Sequence, residues 1–172
     1  MAIDLLTLKK EVLYRVKDFL KKSSARDIQD AEFETLTLDL KDLKLFDIMG
    51  YFKQFPQAYY RNKENSSEIL GIGSDCVLRN RWDIQKKVKL IHLNHLEVSL
   101  MGGISFHSHP SDANEWKKFG NCFYFIPRLQ FETENNQTFL KVHIPLHIIE
   151  SQVKQMSFLL NIEKDLTFTH YR

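Results

Sequence analysis

The side chains best able to do chemistry in this sequence are its seven histidines, two cysteines and 22 aspartates and glutamates. His107-Ser-His109, followed closely by Asp112, would place two imidazoles on one side of an extended chain. A zinc site would need a third ligand at fixed geometry, and a catalytic one would also keep an open position. Pro110 ends any strand there, so the spacing predicts a loop with ordinary surface histidines. His92 with His95, and His143 with His147, are spaced to meet on a helix face. The first pair straddles an expected loop and the second straddles Pro145, so neither makes a metal motif, and no metal is expected in this chain.

Other chemistries fare no better. Gly71-Ile-Gly73 lacks the third glycine of a dinucleotide loop, and no Lys-Ser or Lys-Thr follows Gly102-Gly103 as a P-loop requires. Both pairs read as bends or close backbone approaches within strands. No Gly-x-Ser-x-Gly elbow is present, and Cys76 and Cys122 have no activating context. Glu132 and Glu134 beside a hairpin turn read as solvated acids. Phe119, Phe123, Tyr124 and Phe125 read as core, because no basic stripe accompanies them as base stacking would need. The residues alone predict no catalytic, cofactor or metal site.

The elements that must position these groups follow from periodicity. Residues 4–22 predict a helix with Leu5, Leu8, Val12, Val16 and Phe19 on one face and lysines and arginine on the other. Acidic residues dilute that basic face, which favours packing on its own domain over a membrane surface. Residues 34–40 alternate as a half-buried strand. Residues 42–52 predict a helix with Leu45, Phe46, Ile48, Met49 and Phe52 inward. Residues 58–61 and 68–73 predict strands joined as a hairpin through a polar loop. A short helix over 82–89 and a strand over 98–106 follow. Extended runs at 122–125 and 128–133, bent at Pro127, then pair with 138–145, and 148–160 has helical spacing. This order argues α+β.

At 172 residues, 43% hydrophobic and 27% charged, the chain suits a single domain over 1–172 and excludes disorder. A formal charge of +2 gives no overall electrostatic case for nucleic acid or an anionic membrane. No apolar run approaches the roughly 20 residues that cross a bilayer. Two unpaired thiols fit a reducing compartment, so the expected location is cytoplasmic.

Three segments resemble the N-terminal half of isochorismate synthases, of the menaquinone-pathway type, in the chorismate-utilising enzyme family. The first is Phe55-Pro-Gln-Ala-Tyr-Tyr-Arg-Asn62, with Pro56, Tyr59 and Tyr60, followed by Ile69-Leu-Gly71-Ile-Gly73. The second is Met101-Gly-Gly-Ile-Ser-Phe106, with Gly102, Gly103 and Phe106. The third is Trp116-Lys-Lys-Phe119-Gly120 and then Cys122-Phe-Tyr-Phe-Ile-Pro127-Arg128-Leu-Gln-Phe-Glu132. The match is best over about 30–146. Anthranilate and aminodeoxychorismate synthases continue the double glycine differently, which favours the isochorismate branch.

The resemblance implies an antiparallel sheet with packing helices and a structural role for the matched residues. It also implies that the catalytic lysine, the general-acid glutamate and the Mg²⁺-binding glutamates belong to a C-terminal half whose motifs do not occur here. No catalytic residue, cofactor or metal ligand can therefore be assigned to this chain. The function implied is the N-terminal, non-catalytic part of an isochorismate synthase, inactive alone and partnered by a separately encoded catalytic half. Unpaired sheet surface would otherwise favour self-association. The alternatives are a gene remnant or a repurposed module that binds a partner or a small acid. For the acid, Arg61, Arg79, Arg81 and Arg128 are the candidate contacts. Neither a nucleic-acid nor a membrane partner is expected.

Overall fold

The computed structural model describes residues 5–23, 33–40, 44–64, 66–93, 97–104, 120–135 and 137–168. In chain order these form α1 (Leu5–Ser23), β1 (Phe33–Leu40), α2 (Leu45–Met49), β2 (Gln57–Arg61), β3 (Ser67–Leu78), α3 (Arg81–Leu93), β4 (Met101–Ile104), β5 (Cys122–Glu134), β6 (Gln137–Pro145), α4 (Leu146–Ile149) and α5 (Gln152–Asp165). The strands make one antiparallel sheet in the order β1-β6-β5-β3-β2, with β4 also paired to β5. This is the expected α+β architecture.

Helices cover one face of the sheet. From α1, Leu8, Val12, Val16 and Leu20 recur at four-residue spacing and are all buried. They share a core with Leu38 and Leu40 of β1, Leu70 and Ile72 of β3, Leu129 and Phe131 of β5, and Leu140, Val142 and Ile144 of β6. Phe158 and Ile162 of α5 and Leu45 and Ile48 of α2 close it. Each such side chain contributes roughly 1.5–3 kcal/mol on burial. The opposite face carries a smaller cluster, Phe33, Val98 and Ile126, with Ile91 of α3 and Leu100 packed on it. Residues 97–100 cross that face without regular structure.

Several expected boundaries shift. The helix expected over 42–52 is only five residues long, and Phe46 is exposed rather than inward, packing edge-on against Tyr59. The strand expected over 98–106 is regular only at 101–104. Two strands expected to meet at a bend are one, β5, running through Pro127. β4 ends opposite Phe125 and β6 begins opposite Leu129, so Pro127 has no partner on that edge of β5. A missing backbone donor costs little in such a gap. The expected Phe106, Trp116 and Phe119, with His107, His109 and Asp112, lie outside the described residues.

Candidate functional site

Two buried polar clusters are anchored on β5. The first surrounds Arg128, which is almost fully buried. β3 shifts register against β5 between Ser74 and Cys76, leaving Asp75 as the extra residue of a bulge. Ser74 stabilises the bulge: its Oγ accepts from the Cys76 N–H at 2.9 Å and donates to the Ile126 carbonyl at 2.7 Å. Asp75 then reaches Arg128 in a two-pronged pair, with Nε donating to Oδ2 at 2.7 Å and Nη2 to Oδ1 at 2.8 Å. Nη2 also donates to the Ser74 carbonyl at 3.1 Å, and Nη1 donates to Asp165 at the end of α5.

One guanidinium thus serves two carboxylates. Burial opposes the Arg128 charge, but Asp75 and Asp165 outweigh it and raise its pKa. Burial pushes the Asp165 carboxyl up to about 6, against the pull of Arg128, and the nearby Asp75 charge adds to the rise. Gly73 completes the cluster. Its φ is +65°, and a Cβ there would strike the Asp165 carboxylate.

The second cluster lies on the face turned away from the large core. His143 is 1% exposed. Its Nε2 lies 3.2 Å from Gln130 Oε1 and its Nδ1 lies 3.1 Å from Thr35 Oγ1. Gln130 Oε1 also accepts the Ser99 N–H at 3.1 Å, while Gln130 Nε2 faces Glu132. The amide orientation is therefore set, Nε2 of the histidine donates, and Nδ1 accepts from Thr35. Burial, with Lys141 adding to it, lowers the His143 pKa to about 3, so the ring is neutral. Lys141 bridges Glu132 at 2.9 Å and Glu97 at 3.6 Å. Burial opposes the Lys141 charge and the two glutamates more than offset it, raising its pKa.

These clusters hold strands, a strap and a helix end, and of their acids only Glu97, at the rim of the second, is largely exposed to solvent. His143 and exposed His147 do not share a site. Glu132 is half-buried and ion-paired, where a solvated acid was expected. Arg61 pairs with Glu68 at 3.2 Å, so it and Arg128 are both engaged by the chain's own carboxylates. Among the described residues no group of three His, Cys, Asp or Glu could hold a metal ion.

Among the described residues, several of the matched family positions are at close packing contacts. Pro56 follows a cis peptide bond, and its carbonyl accepts the Gly73 N–H at 2.8 Å. Tyr59 packs on the large core with its hydroxyl buried and unpartnered, while Tyr60 is exposed. Burial is the main cause raising the Tyr59 pKa, with the Glu68 charge next. A Cβ on Gly71 would strike Met101 and Pro127, and one on Gly102 (φ +148°) would strike the Phe123 backbone. Gly103 has open space around it. Sequence reasoning missed Asp75, Asp165 and Gln130, and weighed His143 only as a metal ligand beside His147. Each becomes polar machinery only through partners distant in sequence.

Comparison with known proteins places this arrangement. MenF, the menaquinone-specific isochorismate synthase from Escherichia coli, has the same fold over 87% of this chain, with a TM-score of 0.57 and 14% identity. The chain spans 34% of that protein's length. No curated protein matches the sequence. The family described as chorismate binding enzyme matches residues 18–170, and the chain belongs to that family.

Proposed function

We propose that this chain is the N-terminal, non-catalytic part of an isochorismate synthase for menaquinone biosynthesis. The Mg²⁺-dependent conversion of chorismate to isochorismate would be carried out by a separately encoded catalytic half. The observation that carries this reading is the correspondence of nearly the whole chain to about a third of a synthase. The two buried clusters support it, since their polar groups are spent on holding strands, strap and helix together. Among the described residues no strand pairs with the outer edge of β2, which supports a role as scaffold.

The test is a chorismate assay with Mg²⁺, on the purified chain alone and on the chain co-expressed with a catalytic half of the family. The chain alone should form no isochorismate above the uncatalysed rate, and the pair should form it. Turnover by the chain alone would refute the non-catalytic assignment. A catalytic half equally active without this chain would refute the scaffold role. The small-acid alternative is weakened because Arg128 and Arg61 already hold internal carboxylates.

A further inference from the structure

The formal charge of +2 conceals a strong local imbalance. Residues 79–93 contain Arg79, Arg81, Lys86, Lys87 and Lys89 against Asp83 alone, a formal +4. The one acid is used locally: Asn80 Oδ1 accepts the Asp83 N–H at 2.8 Å and Asn80 Nδ2 bonds the Asp83 carboxylate, capping α3. Helix α3 has no buried residue. Ile84, Lys87 and Ile91 turn toward the sheet, with Lys87 Nζ 5.9 Å from the Phe33 ring centre. The outer stripe is Trp82, Lys86, Lys89 and Leu93, recurring at four, three and four residues. Trp82 is 75% exposed and Leu93 61%.

We infer that the outer face of α3 is a docking surface for an anionic lipid bilayer. The order of residues along the stripe selects this partner. Trp82 and Leu93 lie about 16 Å apart along the helix, with the two lysines between them. A protein interface concentrates apolar groups at its centre and depletes lysine there, so a dry contact here would bury two ammonium groups. A headgroup layer takes those ammonium groups in place, while tryptophan and leucine enter the boundary with the acyl chains. The helix lies in the plane of the surface; no described helix is long and apolar enough to cross a membrane.

The experiment is co-sedimentation of the full chain with vesicles of pure phosphatidylcholine, or of phosphatidylcholine with phosphatidylglycerol, at low and moderate salt. Binding should require phosphatidylglycerol and weaken as salt rises. Lys86→Glu with Lys89→Glu should reduce the bound fraction at least about tenfold. Trp82→Ala with Leu93→Ala should reduce it while leaving the salt dependence in place. All four side chains are exposed, and circular dichroism of each variant verifies the fold. A blue shift of tryptophan emission on adding vesicles, abolished by Trp82→Phe, should report Trp82 entering the interface. No sedimentation of the parent chain, binding unchanged by the charge reversals, or equal displacement by a single-stranded oligonucleotide or an acidic peptide would overturn the inference. None of these readouts depends on isochorismate formation.

Discussion

Arg128 and Gln130 are two residues apart on β5 and both are buried, yet they anchor clusters of opposite kind. Around Arg128 the burial is of charge, with one guanidinium between Asp75 and Asp165. Around Gln130 the inner members, Thr35 and His143, are neutral, and charge enters only toward the rim at Glu132, Lys141 and Glu97. The first cluster ties α5 to the sheet and the second ties β1, β6 and the 97–100 strap together. Buried charge tolerates no missing partner, whereas a neutral hydrogen-bond chain loses one bond at a time. The two should therefore respond oppositely to pH and unequally to mutation.

The pH response is the largest expected effect. His143 titrates near 3 when folded and near 6.5 otherwise, so between those values the unfolded chain binds more protons. Its contribution is fully present above pH 6.5 and is lost as pH falls toward 3, about 5 kcal/mol in all. Asp165 has the reverse sign. Its folded value near 6 lies above the ordinary 3.8, so its contribution is present below 3.8 and lost as pH rises through 6, about 3 kcal/mol. The two slopes oppose each other between about pH 4 and 6. Urea midpoints across that range should rise more steeply with pH in Asp165→Asn than in the parent chain. In His143→Gln they should fall with pH. Parallel profiles in all three proteins would show that these groups do not set the response.

Mutation should separate the clusters next. Arg128→Met leaves two carboxylates without their cation and should cost about 3–5 kcal/mol in chemical denaturation. His143→Leu removes one hydrogen bond from each of Thr35 and Gln130, whose Oε1 keeps the Ser99 N–H, and should cost about 1–3 kcal/mol at pH 7. Equal losses would erase the distinction drawn between charge and neutral burial. Gly73 refines the charged side of it. Gly73→Ala forces a side chain into a left-handed conformation and against the Asp165 carboxylate, a loss of about 1–3 kcal/mol. Gly103→Ala meets open space and should stay within about 0.5 kcal/mol of the parent.

The same contrast separates what was legible in the sequence from what was not. Local patterns carried the amphipathic face of α1, the alternation of β1 and the β2–β3 hairpin, because each is set by residues a few positions apart. The family motifs located Gly71, Gly102 and Pro127, whose roles are close packing of neighbouring strands. Arg128 was named, but Asp75 reaches it only through a bulge, and Asp165 lies 37 residues downstream. His143 sits in a strand whose alternation assigns it to the polar face. It is buried there beside Gln130, which holds the Ser99 N–H of a strap 31 residues upstream of that glutamine, and no local pattern announces that contact. The exposed Trp82 likewise needed the fold. Its helix was expected as short, and only the packing of Ile91 and the partial burial of Ile84 show which face is outward.

The smallest expected effect concerns what holds that strap down. Lys141 offers it an ion pair through Glu97, but the Glu97 side chain is 69% exposed and the separation is 3.6 Å. Such a pair is worth about 0.2–1 kcal/mol and is weakened further by salt. Gln130 holds the Ser99 N–H from beneath, and Val98 is buried against Phe33 and Ile126. Glu97→Gln, which removes that pair and leaves the Lys141–Glu132 bridge in place, should therefore cost no more than about 1 kcal/mol and leave the Ser99 amide protected from hydrogen exchange. Gln130→Leu should instead speed exchange at Ser99 by removing the acceptor itself. Loss of Ser99 protection in Glu97→Gln would make the rim charges the anchor of the strap, and the neutral cluster would then depend on charge as the Arg128 cluster does.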